Sequence, residues 1–184
     1  MRTDDAGPPW LVVIDPQHIF AEPPSPWAAP DFDAILDPVR RLAAAHAGRV
    51  VVTRIVAPAR PAGSWVPYYR LWPFALVPDD DPLYEVVPAL RDLPAAVVTE
   101  PTFGKWTAAL RAVTGPTPRL LLAGAATDCC VLSTALAAAD GGAEVEVVTD
   151  ACAGSSAENH RRALGAMSLY APQIRLTTTD EVLA

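Results

Sequence analysis

Residues 119–131, Arg-Leu-Leu-Leu-Ala-Gly-Ala-Ala-Thr-Asp-Cys-Cys-Val, compress a strand, a turn and the start of a helix into one stretch. The apolar run 119–124 reads as a strand buried on both faces. Gly124, Ala125 and Ala126 follow as a turn of small residues, through which backbone can approach a ligand. A helix over 130–139 comes next and ends at Gly141-Gly142. A thiol at the start of such a helix meets free N–H groups and the positive end of the dipole. Both favour a thiolate, and the same N–H groups can hold an oxyanion. The competing reading is a buried, inert cysteine, the commoner fate of that residue.

The pattern repeats outward from this point. Apolar runs predict further strands over 10–14, 50–56, 95–99, 145–149 and 174–177. Helical spacing predicts helices over 33–47, 105–113 and 157–170, with a short one near 68–71. Residues 16–32 and 58–82 read as loops, and 178–184 as a tail of little consequence. Strand and helix alternate, and the strands are branched and apolar. That is the signature of an α/β fold, a parallel sheet with helices on both faces.

The 184 residues suit one domain spanning 1–184. Hydrophobic residues are 51% of the chain and charged residues 19%, enough apolar material for a full core. Lys plus Arg number 14 against 21 Asp plus Glu, a net charge of −7. That balance argues against a nucleic acid or an anionic membrane as partner, since phosphates demand clustered cations. No apolar run reaches the roughly 18 residues of a membrane helix. Met1 to Asp5 lack the basic and apolar stretches of a secretory signal. Cys129, Cys130 and Cys152 are too few for a disulfide framework and fit a reducing compartment, so a cytoplasmic location is expected.

In parallel sheets, ligands bind outside the carboxyl ends of the strands. Asp15 follows the first strand, where a carboxylate is desolvated on one side, the environment of a working base. An Asp in a turn is the plainer alternative. Lys105 is the sole lysine of the chain. At the start of helix 105–113 it would face the positive dipole end, an unfavourable place for a cation unless it pairs with a carboxylate or thiolate. Its plainer reading is a solvated surface lysine. The loop aromatics Trp65 to Phe74, with Phe20, Trp27 and Trp106, could wall a pocket for an apolar or planar molecule, or cover the sheet or an interface. Arg54 and Arg70 could bind a carboxylate or pair with Asp79, Asp80 or Asp81.

Taken together, Leu11-Val-Val-Ile-Asp15-Pro-Gln17, Gly124-Ala-Ala-Thr-Asp-Cys-Cys130-Val131, and Asp150-Ala-Cys-Ala-Gly-Ser155 with His160 and Ala163-Leu164 resemble the isochorismatase-like hydrolase superfamily in its cysteine hydrolase, or amidohydrolase, branch. The resemblance implies a three-layer α/β/α sandwich around a mostly parallel sheet of about six strands. It implies hydrolysis of a C–N bond in a small amide, carbamoyl or ureido compound through a thioester. Asp15, Lys105 and Cys130 would form the triad, and the N–H groups of Ala126 and Cys130 the oxyanion hole, with a cis peptide at Ala125–Ala126. Gln17, Phe20, Trp65, Trp72, Trp106 and Glu100 are the candidate pocket residues. In relatives the lysine follows strand three directly, and the spacing from Trp106 puts Glu100 there. Either Lys105 reaches the site from later in the chain, or Glu100 faces the cysteine and disfavours its thiolate. No metal and no cofactor is expected, because His18, His46 and His160 do not fit the Asp-x-His spacing of nicotinamidases. A small-molecule substrate and a homo-oligomer, dimer or tetramer, are expected as partners. The rival readings are a vinyl-ether hydrolase of the isochorismatase type, an inactive binding or scaffold domain, and a redox pair of Cys129 with Cys130.

Overall fold

The computed structural model describes residues 7–184; the reading of Met1 to Asp5 lies outside them. In chain order the elements are β1 (Trp10–Ile14), α1 (His18–Ala21), α2 (Leu36–Ala45), β2 (Val50–Ile55), α3 (Trp65–Leu71), α4 (Pro88–Arg91) and β3 (Ala96–Glu100). Then follow α5 (Ala108–Thr114), β4 (Arg119–Ala125), α6 (Leu132–Asp140), β5 (Glu144–Ala153), α7 (Ala157–Ser168), β6 (Ile174–Thr177) and α8 (Thr179–Leu183).

Six strands form one sheet in the order β3-β2-β1-β4-β5-β6, and every pairing is parallel. The chain winds outward from β1 through β2 to β3, then returns to pair β4 with the other edge of β1. The order therefore reverses between β1 and β4. A crevice opens at such a switch point, outside the carboxyl ends of the two strands.

The continuous apolar runs are explained by burial on both faces. Leu11, Val12, Val13 and Ile14 have no exposure, and neither do Leu122, Ala123, Val147 and Val148. Val39, Leu42 and Ala43 recur at helical spacing on α2 and are the buried residues of that helix. β3 departs from the doubly buried pattern. It is an edge strand, and Val97 is 60% exposed.

Three differences from the sequence reading matter near the crevice. The helix expected over 105–113 starts at Ala108 instead, behind an extended Thr107. Lys105 therefore sits in the preceding loop, and the cost of a cation in a first helical turn does not arise. The strand expected over 145–149 runs on to Ala153 and so takes in the first four residues of the Asp150 motif. The tail also has structure. Thr178 and Glu181 form a reciprocal cap on α8, and Asp150 accepts hydrogen bonds from the Thr179 N–H and hydroxyl at 2.8 and 3.1 Å.

At the switch point Ile14 lies opposite Gly124 in the register. Gly124 has φ +111°, and a Cβ there would stand 2.1 Å from the Ile14 carbonyl oxygen. The ends of β1 and β4 approach this closely only because residue 124 has no side chain. Gly124→Ala should therefore cost about 3 kcal/mol or more, lowering the midpoint of thermal unfolding by roughly 6 to 12 °C for a domain of this size. A variant melting like the parent would show that the two strand ends have room to part.

Candidate active site

β1 delivers Asp15 into the crevice. The residue is fully buried and has φ +46°, the one positive φ at a non-glycine position among the described residues. That conformation is costly for a residue with a Cβ and marks a place the surroundings over-determine. Thr53 of β2 supplies the constraint. Its hydroxyl donates to Asp15 Oδ1 at 2.6 Å and accepts from the Asp15 N–H at 3.1 Å. One carboxylate oxygen is thus committed. The other, Oδ2, lies 3.1 Å from Lys105 Nζ. The contact is an ion pair without hydrogen-bond alignment, so Oδ2 is a buried acceptor with no donor on it.

Lys105 comes from the loop between β3 and α5. Its side chain is wholly buried, which overturns the solvated-surface alternative. Nζ donates to the Thr102 carbonyl at 2.7 Å. Glu100 does not compete for this place. It is half-buried at the end of β3 and accepts from the Thr107 hydroxyl at 2.6 Å. The lysine reaches the carboxylate from five residues further along because the loop folds back on α6. The Lys105 N–H donates to Thr134 there at 2.9 Å.

β4 delivers the thiols. The Ala125–Ala126 peptide is cis, and Thr127–Val131 form a π-helical turn that leads into α6. The Ala126 carbonyl accepts from the N–H groups of Cys129 and Val131, both at 3.1 Å. Cys130 is therefore inside a wide turn, not the first residue of an α-helix. It is 1% exposed, while Cys129 is half-buried. The neighbouring Cys129 thiol, burial and the Asp15 charge push the Cys130 thiol well above its ordinary range, and Lys105 pulls it down. The adjacent Cys130 thiol in turn draws the Cys129 thiol down, against burial. The expectation of a helix-stabilised Cys130 thiolate is thereby corrected. At rest Cys130 is a neutral thiol on which the Asp15 and Lys105 charges both act.

The candidate pocket residues divide. Trp65 stacks at 6.0 Å on Tyr69 and meets Phe103 at 4.7 Å. Trp72 and Phe20 both pack on Trp27, at 6.2 and 6.0 Å, and Phe20 is core. Gln17 is a brace. Its amide donates to the Ile55 and Tyr84 carbonyls at 3.1 and 2.8 Å and accepts from the Ile55 N–H at 2.8 Å, so it has little left for a ligand. Trp106 is also removed from the pocket. Its indole nitrogen lies against Gly141, just past the far end of α6 from Cys130. Arg54 pairs with Asp79 at 2.7 Å and is not free for a substrate carboxylate.

Tyr68 and Tyr69 are nearer the chemistry. Burial, and then the neighbouring thiols among other groups, push the Tyr68 hydroxyl up. Burial, Tyr84 and Cys130 push the Tyr69 hydroxyl to about 12. Thr53, Thr134 and Phe103 went unnoticed in the sequence. For the threonines the signal was a polar residue inside an otherwise apolar strand and inside an alanine-rich helix.

No group of three or more His, Cys, Asp or Glu side chains able to hold a metal ion occurs among the described residues. His18 pairs with Glu22, His46 with the Leu42 carbonyl and His160 with Thr127. No helix among the described residues is long and apolar enough to cross a membrane.

The molecule is thus an α/β protein whose parallel sheet carries a carboxylate, an ammonium and a thiol near its switch point. Residues 9–181 match the model of the Isochorismatase domain, and the chain belongs to that family. No curated protein matches it. Solved structures do. A cysteine hydrolase from Pseudomonas syringae pv. phaseolicola 1448A superimposes with TM-score 0.80 at 23% identity, over 95% of this chain and 90% of that one. An isochorismatase-like hydrolase from Alkaliphilus metalliredigens gives 0.77 at 19%, over 94% and 96%. The pyrazinamidase of Pyrococcus horikoshii, in complex with zinc, gives 0.71 at 25%, over 91% and 97%.

Two outcomes test this geometry. Lys105→Met leaves the buried Asp15 charge unpaired and should cost about 3–5 kcal/mol in denaturant unfolding. Adding Asp15→Asn should recover much of that loss, whereas additive losses would mean that the two groups do not interact. Cys152 is a separate buried thiol, pushed up to about 12 chiefly by burial. The folded state then holds a proton that the unfolded thiol releases near its ordinary value of roughly 8.5. This contribution is complete below that value and is lost as pH rises toward 12. Cys152→Ala should flatten this alkaline loss, as measured by urea midpoints against pH.

Proposed function

We propose that the protein is a cysteine hydrolase that cleaves the C–N bond of a small amide, carbamoyl or ureido compound through a thioester on Cys130. The observation that carries the reading is the fully buried Asp15–Lys105 pair at 3.1 Å, placed where both charges act on the Cys130 thiol. A buried ion pair is a poor way to stabilise a fold and a good way to steer a proton.

In this reading Asp15 Oδ2 takes the proton from the Cys130 thiol as sulfur attacks the substrate carbonyl carbon. The carbonyl π electrons move to oxygen, and the N–H groups of Ala126 and Cys130 hold the resulting oxyanion. The proton on Asp15 then passes to the departing nitrogen as the C–N bond breaks, leaving the acyl group on sulfur. A water gives its proton to Asp15 and attacks the thioester. The Cys130 thiolate leaves and takes that proton back. Lys105 keeps its charge throughout, countering the carboxylate and the sulfur anion in turn. The neutral resting thiol agrees with this sequence, because the proton must be present to reach the leaving nitrogen. Trp65, Tyr68 and Phe103 form the apolar wall proposed to receive the acyl side of the substrate.

Ammonia release should be assayed over a panel of aromatic and aliphatic primary amides, carbamoyl compounds and ureido compounds. The wild type should turn over at least one class. Asp15→Asn and Cys130→Ser should each lose about 1,000-fold or more in kcat/KM. Intact mass spectrometry should find the acyl group on Cys130. Turnover that survives Cys130→Ser would remove the thioester from the mechanism.

A further inference from the structure

The structure assigns Thr134 as a positioning residue for the reaction proposed above, on which this inference rests: one buried hydroxyl sets the Lys105 loop against the Cys130 turn. Thr134 is on α6 and has no exposure. Its hydroxyl donates to the Cys130 carbonyl at 2.7 Å and accepts from the Lys105 N–H at 2.9 Å. The same oxygen thus contacts the backbone of the nucleophile and that of the cation, from segments that join different strands.

The first bond alone would be unremarkable. Threonines in helices commonly donate to the carbonyl four residues back. Thr114 of α5 does so, to Leu110 at 3.1 Å. The second bond has no such explanation. It reaches across 29 residues to a loop outside regular structure, and it satisfies a backbone N–H that is buried with its residue. The neighbouring contact agrees. A Cβ at Gly104 would lie 3.5 Å from the Ser133 carbonyl oxygen, so the loop rests directly on the first turn of α6. Downstream of this contact, Lys105 Nζ is held by the Thr102 carbonyl at 2.7 Å and faces Asp15 at 3.1 Å. The hydroxyl therefore registers the ammonium against sulfur through two short backbone links. Without it the loop is free to lift, and the ammonium then moves away from the thiol.

Thr134→Val keeps the shape and removes the hydroxyl. Two readouts separate positioning from general stability. The first is the pH profile of Cys130 alkylation by iodoacetamide, resolved by peptide mass spectrometry. The charged and titratable groups facing that thiol are Cys129, Asp15 and Lys105, with Tyr68 and Tyr69 alongside. Among these, Lys105 is the one that lowers it, so loosening the loop should move the profile to higher pH. The second is hydrolysis, where kcat should fall about 10- to 100-fold while KM changes little. Thr134→Ser should restore both. Thr114→Val breaks the equivalent helix bond away from the site and should lower the melting temperature while leaving the alkylation profile in place. If Thr134→Val does not fold, Thr134→Ala serves with the same expectations. An alkylation profile for Thr134→Val or Thr134→Ala that coincides with the wild type would overturn the inference. The underlying reading fails separately, and is recognised by a wild-type profile unchanged in Lys105→Met, since Lys105 then exerts no control over the thiol.

Discussion

A carboxylate and an ammonium, both without solvent exposure, face each other at 3.1 Å beneath the carboxyl ends of β1 and β4. Removing two such charges from water costs several kcal/mol per ion, and their attraction offsets this only when the remaining polar atoms are also satisfied. The surrounding structure meets that condition. Thr53 takes one oxygen of Asp15, and the Thr102 carbonyl takes a proton of Lys105. The one atom left over is Asp15 Oδ2. An unsatisfied acceptor at the centre of an otherwise satisfied network is where a proton can be received.

The fold makes this placement possible through one register. With Ile14 opposite Gly124, the first residue beyond β1 and the turn beyond β4 emerge side by side. The chain must turn sharply at both exits. At β1 the turn falls on Asp15, whose positive φ is sustained by the double hydrogen bond to Thr53. At β4 it falls on Gly124, where no side chain could fit. The conformational demands of the two exits thus differ. Glycine relieves one outright, while the aspartate is held in the other by its two hydrogen bonds to Thr53.

Much of this was legible in the sequence, and the limits have physical causes. Doubly buried strands give continuous apolar runs, so β1, β2 and β4 could be read closely, and the edge strands β3 and β6 kept enough branched and apolar residues to be read as well. β5 was cut short because Asp150 interrupts its run, although that side chain is occupied in holding α8. The catalytic candidates were legible as residue types after strands. Their partners were not, because Thr53 and Thr134 act through hydrogen bonds to segments 38 and 29 residues away, and no local pattern records such pairings. Trp106 misled for a related reason. An aromatic one residue from Lys105 points elsewhere, since an irregular loop imposes no periodicity by which neighbouring side chains share a direction.

The vicinal thiols bear on how such a site can work. Cys129 is the more exposed of the two and Cys130 is buried, so a reagent from solvent meets Cys129 first. The Asp15 and Lys105 charges act on both thiols, and burial favours the neutral form of Cys130. A neutral thiol is inert toward adventitious electrophiles and carries the proton that a departing amine needs. The burial and the negative charge that disfavour the Cys130 thiolate in the free protein therefore need not be defects of the site. In the proposed reaction they would place deprotonation in the same step as attack, with Asp15 gaining the proton as sulfur gains a carbon.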